Sequence, residues 1–178
     1  MNSTITARYT PLLRRLHWII FGLVLVAYIA INLREMLPRG SGRGDALALH
    51  ALSGIVVFLL VLPRLFVRLT NAHPPIVPGL DRFSLILSKA THAALYLFLV
   101  VQPIMGIVTV QLAGKPLVLF GMTVVPPLFG PGNHALAKQW EDIHGTVGTA
   151  FYYVIGLHIL AALWHHFGRK DNTLRRML

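Results

Sequence analysis

Residues 144–158 read His-Gly-Thr-Val-Gly-Thr-Ala-Phe-Tyr-Tyr-Val-Ile-Gly-Leu-His, an apolar run with a histidine at each end. If the run is helical, a turn of 100° per residue places His144 and His158 about 40° apart on one face and about 21 Å apart along the axis. A membrane-spanning helix with a nitrogen ligand near each end is suited to hold two cofactors, one above the other. The rest of the chain must then supply the partner ligands.

Composition places the chain in a membrane. Hydrophobic residues make up 55% and charged residues 12%, against about 25% charged in soluble domains. Four apolar runs, at about 16–33, 46–65, 85–112 and 146–167, are each near the ~20 residues that cross a hydrocarbon core. We therefore predict an all-α membrane protein, a four-transmembrane-helix bundle that forms a single domain over residues 1–178. A cleaved signal peptide is the alternative for the first run, but signals have shorter apolar cores.

The basic residues indicate the orientation of the bundle. Eleven of the sixteen lysines and arginines lie in the N-terminal tail, in or beside the loop between spans two and three, or in the C-terminal tail. By the positive-inside rule, the N and C termini are both cytoplasmic. The net charge of +10 is therefore explained by basic residues in the segments predicted to be cytoplasmic. We expect no nucleic-acid partner.

The orientation fixes the depth of each histidine. His50 and His144 lie near the outer side, whereas His17, His92 and His158 lie toward the inner side. The simplest assignment is an outer haem between His50 and His144 and an inner haem between His17 and His158. His92 competes with His17 at the inner level. Histidines within a span are costly unless they face the interior and have partners, although hydrogen bonding across helices would also satisfy them.

Haem is the cofactor that this arrangement favours, because each iron can take two axial histidines from neighbouring helices. Cysteine is absent, so covalent attachment is excluded and both groups would be haem b. The acidic residues lie in loops or at span ends, which argues against a di-iron carboxylate site. A repeated His-x-x-x-Gly pattern, His50 with Gly54 and His144 with Gly148, leaves room for a flat macrocycle, although small residues also permit close helix packing.

Two histidines per iron leave no open coordination position, so we expect outer-sphere electron transfer along a two-ended path. A quinone fits the inner end, where polar donors and an apolar wall are available. His165 is the best candidate for contact, since it follows His158 by two turns on about the same face. Interfacial anchoring is the alternative for the Trp and basic residues. The candidate quinone contacts are Ser88, Lys89, His92, Trp164 and His165.

Several segments resemble one known family over nearly the whole chain. They are Arg8-Tyr9, Leu16-His17-Trp18, Pro74–Pro78, Trp140–His144, Val154–His158 and His165–Leu174. Together they resemble the bacterial cytochrome b561 family of four-span dihaem membrane cytochromes, whose characterised branch includes superoxide oxidase. The resemblance implies a multi-pass protein of the bacterial inner membrane, with haem ligation by His17 with His158 and by His50 with His144. It also implies electron exchange with ubiquinone.

The resemblance further implies a membrane oxidoreductase that takes electrons from superoxide at the outer haem and passes them to ubiquinone. The charge of the outer loops does not decide whether superoxide is the donor, because these loops sum to only about +1 and would attract an anion weakly. The alternative is an electron-carrying cytochrome b subunit that passes electrons between quinol and a separate redox partner protein, docked on Leu117–Pro131. A haem-binding sensor or structural protein is a third interpretation.

Overall fold

Four long helices dominate the computed structural model, which describes residues 8–128 and 132–178. The elements in chain order are α1 (Pro11–Met36), α2 (Ser41–Thr70), α3 (Arg82–Ala113), β1 (Leu117–Leu119), β2 (Met122–Val125) and α4 (His134–Phe167). All four helices are long and apolar enough to cross a membrane, which confirms the predicted four-helix membrane fold. The predicted spans lie inside these helices, which extend farther because helices continue into the polar headgroup layer that hydropathy does not detect.

Polar caps mark where the helices begin. The side chains of Thr10, Asp81 and Asn133 each accept a hydrogen bond from the backbone amide three residues along, at the start of α1, α3 and α4. These bonds satisfy amides that lack a partner within the helix. Helix α3 ends at Gly114, whose left-handed backbone (φ 63°) suits glycine. The capped ends are therefore suited to the aqueous boundary rather than the hydrocarbon core.

The core of the bundle lies between α1, α2 and α3. Ile20, Val57 and Val61 are buried there, and Leu23 and Tyr96 pack against them. Close backbone contacts join α1 to α2, α2 to α3 and α3 to α4, whereas α4 has very few with α1 or α2 among the described residues. Helix α4 therefore stands off from the α1–α2 pair, and an interior space separates them. Apolar side chains on the outer surfaces suit contact with membrane lipid.

A short β-hairpin departs from the all-helical expectation. Strands β1 and β2 pair antiparallel, and Phe120 and Gly121, both with positive φ, form the turn between them. The Phe120 amide donates to Asp45 Oδ1 at 2.7 Å, and Gln111 Oε1 accepts from the Leu128 amide at 2.8 Å. These bonds fasten the connection to α2 and α3. Residues 129–131, at the end of the expected docking segment, lie outside the described residues.

The C-terminal tail, residues 168–178, folds back beneath the helices. The Tyr9 amide donates to the Arg176 carbonyl at 3.1 Å, and Trp18 Nε1 donates to the Met177 carbonyl at 2.9 Å. The backbone amide of Asn172 donates to the Val77 carbonyl at 3.2 Å, and the side-chain Oδ1 of Asn172 accepts from the Val77 amide at 2.9 Å. The C-terminal tail thus joins the N-terminal segment, the α2–α3 loop and the end of α4.

Candidate functional site

His50 on α2 and His144 on α4 face each other across the interior space. Their ring centroids are 5.9 Å apart and their planes cross at 86°. A histidine nitrogen lies about 2 Å from a bound metal ion and its ring centre about 1 Å farther, so two imidazoles on opposite sides of one iron have centres about 6 Å apart. The pair therefore has the separation that axial ligands of one haem need.

Three histidines meet at the other level of α4. His158 has its ring centroid 6.4 Å from that of His17 on α1 and 5.5 Å from that of His92 on α3. Either separation suits two ligands of one iron by the same geometry. The structure thus brings together all three residues of the inner level, and distance alone does not separate His17 from His92.

Hydrogen bonds orient two of these imidazoles. His50 Nδ1 donates to the Ala27 carbonyl at 2.9 Å, and His92 Nδ1 donates to the Ser88 carbonyl at 2.6 Å. Because a carbonyl can only accept, each ring keeps a free lone pair on Nε2, which is the arrangement that metal-binding histidines use. His144 Nδ1 is buried without a partner among the described residues.

Gly106 on α3 lies against His144. A Cβ added at Gly106 would lie 3.2 Å from His144 Cε1, so the imidazole occupies the space that any larger residue would fill. Sequence reasoning missed this residue, because its role depends on how α3 and α4 are aligned. The only available signal was a glycine inside an apolar helical run, which is weak.

A cavity of about 840 Å³ adjoins the outer pair, within the range of about 300–1,000 Å³ that is usual for ligand and cofactor sites. Gly54 borders this cavity, and a Cβ there would meet nothing within 4 Å. Gly148 also borders it, but a Cβ there would lie 3.1 Å from Gln102 Nε2. The space expected beside a His-x-x-x-Gly pattern therefore occurs at Gly54, whereas at Gly148 a side chain takes it.

The outer rim of the cavity has charges of both signs. Lys138 Nζ lies 2.8 Å from Asp142 and 3.5 Å from Glu141, and Arg34 lies 3.5 Å from Glu35. These pairs are solvent-exposed to different degrees and each contributes little to stability. Because every cation has an acidic neighbour, the rim forms a mixed polar entrance rather than a strongly positive funnel.

Arg64 on α2 is a further residue that the sequence analysis did not single out as functional. Its Nη1 donates to the Leu13 carbonyl at 2.7 Å, and its guanidinium carbon lies 5.8 Å from the centre of the Tyr96 ring. Leu13 precedes His17 by one helical turn. Among the described residues no carboxylate pairs with Arg64. A partly buried cation without an anion is costly, so this position suits an anionic partner.

The candidate quinone contacts fall in one layer at the inner end. His92 lies beside His158, and Asp81 lies 3.7 Å from Arg169. Asp81 precedes His92 by eleven residues, and Arg169 follows His158 by eleven residues, so the two segments run antiparallel in step. Residues 85–89 of α3 are therefore level with residues 161–165 of α4. Ser88, Lys89, Trp164 and His165 therefore share this layer, and His92 lies one turn deeper.

Exposure separates the members of that layer. Lys89 and Trp164 are exposed, the latter by 65%, so both face outward from the bundle. The His165 side chain is only 17% exposed. Its Nδ1 lies 2.5 Å from Asp171 Oδ2, a partner that the sequence analysis did not identify. Apart from the bond between His92 and the Ser88 carbonyl, the structure places the candidate quinone contacts near one level without hydrogen bonds among them in the described part of the chain.

Comparison with known proteins shows the family of the chain. The family described as prokaryotic cytochrome b561 matches residues 8–178. The chain belongs to this family. It is 34% identical to the probable superoxide oxidase CybB of Yersinia pestis, over 96% of both chains. It is 33% identical to cytochrome b561 homolog 1 of Escherichia coli, over 92% of both chains. A second Escherichia coli relative, cytochrome b561 homolog 2, is 31% identical over 73% of this chain and 69% of its own.

Membership in the prokaryotic cytochrome b561 family establishes the general role. This cytochrome is a multi-pass bacterial membrane protein that binds b-type haem and transfers electrons. Its histidine geometry fits such a group, because ring separations near 6 Å occur at two levels of α4.

Proposed function

We propose that this cytochrome carries electrons from superoxide, on the outer side of the bacterial inner membrane, to ubiquinone at the inner side. The observation that supports it most is the pair of histidine contacts at two levels of α4, because two haems stacked along one helix provide a path across the bilayer. A relative named as a probable superoxide oxidase, 34% identical over 96% of both chains, supports the choice of donor. Both termini are cytoplasmic in this proposal.

Two b haems would lie in the space between α4 and the α1–α2 pair. His50 and His144 would hold the outer haem, and His17 and His158 the inner one, with His92 on the quinone side of His158. When bound, each haem accepts and releases one electron at a time. The chain contributes axial nitrogens, the open face at Gly54, and the cationic Arg64 beside the inner site. Two axial histidines leave no open iron position, so the donor must react by outer-sphere transfer.

The outer cavity provides the access that a small donor needs. Its polar rim contains Arg34 and Lys138, which attract an anion, and acidic neighbours that moderate the attraction. Each superoxide loses one electron and leaves as dioxygen. Two superoxide anions, one ubiquinone and two protons therefore give two dioxygen molecules and one ubiquinol.

At the inner end, the proposed quinone site lies in the layer level with His165. Ser88 and Lys89 supply donors to the quinone carbonyls, His92 links the layer to His158, and Trp164 supplies an apolar wall. Protons for quinol would enter from the cytoplasmic side. This arrangement favours an acceptor that reaches the protein from within the membrane.

A second candidate function is an electron-carrying subunit that exchanges electrons between quinol and a separate protein. The hairpin favours it, because Phe120 and Met122, at and beside its turn, are 77% and 67% exposed. An exposed apolar cluster of this kind is suited to a protein contact. In that case, electrons would leave or enter through the hairpin side rather than from superoxide.

Rapid-mixing spectroscopy tests the proposal. Oxidised, detergent-purified protein is mixed with a superoxide source while the haem α-band is followed, and ubiquinone is then added. We expect fast haem reduction that superoxide dismutase suppresses, followed by reoxidation with ubiquinone. Haems that stay oxidised with superoxide but are reduced by ubiquinol would contradict the proposal and favour the subunit.

A further inference from the structure

A buried carboxylate holds His165 at the cytoplasmic end of α4. Asp171 Oδ2 lies 2.5 Å from His165 Nδ1, and Asp171 Oδ1 accepts from the Thr173 amide at 2.9 Å. The Asp171 side chain has no exposed surface. Burial alone raises the pKa of this carboxyl, but the hydrogen bonds from His165 and Thr173 outweigh burial and lower the pKa. Asp171 is therefore an ionised, fixed acceptor.

The hydrogen bond to Asp171 determines the tautomer of His165. A carboxylate can only accept, so Nδ1 of the imidazole carries a proton and Nε2 has the lone pair when the ring is neutral. Nε2 forms no hydrogen bond to the described residues. When the ring is protonated, Nε2 is a proton donor, and Asp171 still accepts the hydrogen bond from Nδ1.

The free nitrogen belongs to the layer assigned to the quinone. His165 follows His158 by seven residues, which places it about 10 Å farther along α4 and nearly on the same face. By the same alignment, His165 is level with residue 85 of α3, and Ser88 and Lys89 follow about one turn deeper. Charged groups also surround the pair: Arg169 Nε lies 3.7 Å from Asp171, and Arg169 Nη1 lies 3.7 Å from Asp81.

We infer that His165 donates protons to ubiquinone as it is reduced, and that Asp171 is the positioning residue that fixes the donating nitrogen. The inference rests on the proposed function for the identity of the acceptor. In each transfer the Nε2–H bond breaks and an O–H bond forms at a quinone carbonyl oxygen. Two electrons from the haems and two such protons convert ubiquinone to ubiquinol. Water on the cytoplasmic side reprotonates His165 through its exposed edge.

A purely structural role for Asp171 is the competing explanation, because the C-terminal tail also fastens the inner end. Asn172 provides the matched control. Its side chain bonds the Val77 amide at 2.9 Å and the Pro75 carbonyl at 3.2 Å. Asn172→Ala therefore loosens the C-terminal tail without removing the carboxylate that contacts His165.

The first test compares haem reoxidation by ubiquinone across pH in wild type, Asp171→Asn, His165→Gln and Asn172→Ala. The haems are reduced beforehand with dithionite, so the electron donor does not affect the result. We expect reoxidation to slow about 100-fold in His165→Gln and about 10-fold in Asp171→Asn. In Asp171→Asn the dependence of the rate on pH should differ from that of wild type, because no carboxylate then accepts from His165 Nδ1. Asn172→Ala should keep the wild-type profile.

The second test reads the tautomer without any turnover. Nitrogen NMR of protein with ¹⁵N-labelled histidine, with the His165 signals assigned from His165→Gln, should show a protonated Nδ1 in wild type. Asp171→Asn should lose that preference, because the asparagine amide can donate to Nδ1 and place the proton on Nε2.

Four outcomes overturn the inference or separate it from the proposed function. A wild-type pH profile in Asp171→Asn would show that the contact between Asp171 and His165 is only structural. An equal, pH-independent loss of reoxidation rate in Asp171→Asn and Asn172→Ala would show the same. Wild-type haems that ubiquinone does not reoxidise would overturn the inference together with the proposed acceptor. Failure of superoxide to reduce the haems would overturn only the proposed donor, since the dithionite experiment does not depend on it.

Discussion

The imidazoles of His50 and His144 approach within 5.9 Å, centroid to centroid, although their helices α2 and α4 have very few close backbone contacts. Two side chains thus reach across a space that the backbone leaves open. An imidazole in an apolar span is costly unless it has a partner, and His144 Nδ1 has none among the described residues. The pair is therefore best explained by a group bound between the rings.

Replacing one member of this pair should remove one haem only. We expect His144→Ala to lose the outer haem and to keep most of the inner haem, because the inner ligands lie about 21 Å away along α4. The pyridine haemochrome assay, with protein measured separately, gives haem per chain. His73→Ala is the control, since His73 is exposed and bonds only the Asn71 carbonyl. Unchanged haem content in His144→Ala would refute the assignment.

The inner level offers a choice that two variants can decide. We expect His17→Ala to lose the inner haem and His92→Ala to keep it, because the resemblance assigns His17 as the ligand. The ring separations, 6.4 Å for His17 and 5.5 Å for His92, allow both. Low-temperature absorption spectra, which resolve the α-bands of different haems, provide the measurement. The opposite result would make His92 the ligand and move His17 to a supporting role.

Gly54 tests whether a flat group fills the outer cavity. A Cβ at Gly54 would meet no atom of the described residues within 4 Å, and glycine-to-alanine changes inside helices stabilise them by about 1 kcal/mol. We expect Gly54→Ala nevertheless to lower outer-haem content, because the methyl group would enter the space the macrocycle occupies. Gly22→Ala is the matched control, with equally open surroundings on α1. Full haem content in both variants would place the macrocycle elsewhere.

Arg64 should raise the reduction potential of the inner haem. A cation near the site disfavours the more positive, oxidised iron, so Arg64→Leu should lower that potential, by about 60 mV for a tenfold change in a one-electron equilibrium. Spectroscopic redox titration measures the shift. Arg68→Leu is the comparison, because Arg68 lies one turn along and contacts Tyr9 instead. Equal shifts in both variants would mean that Arg64 has no special relation to the inner site.

Acid should release the C-terminal tail through Asp171. The folded-state pKa of this carboxyl lies below its ordinary value of 3.8, so its stabilising contribution is complete above about pH 4 and is lost as the pH falls through the lower folded value. We expect the Thr173 amide, which donates to Asp171, to lose hydrogen-exchange protection in that acidic range. Asp171→Asn should remove this pH step. A step that persists in the variant would assign it to another group.

The sequence predicts much of this architecture, for physical reasons that apply to particular residues. Apolar runs locate the four helices because a bilayer core requires about 20 such residues. The pairing of His50 with His144 follows from depth and helical period, and the structure brings these rings together. The hairpin is not predictable in this way, because its strands are only three and four residues long and its turn has Phe120 at positive φ.

Other contacts depend on tertiary alignment, which periodicity does not contain. Gly106 meets His144 only because α3 and α4 pack in one particular register. Asp171 reaches His165 only because the C-terminal tail turns back after Gly168. In the sequence, Asp171 reads as one charge in a basic tail, which usually indicates a solvated segment.

The separation of α4 from the α1–α2 pair has a consequence for biogenesis. Helix α4 packs closely along α3 and meets α1 through a few side chains, such as Tyr28, whose hydroxyl donates to the Gly148 carbonyl at 2.8 Å. We expect a bound haem to strengthen this sparse contact, because it would link a histidine of α4 to a histidine of another helix. Cellular haem supply would then set how much of the chain matures and how much is removed by membrane proteases, which couples the abundance of the electron carrier to the availability of its own cofactor.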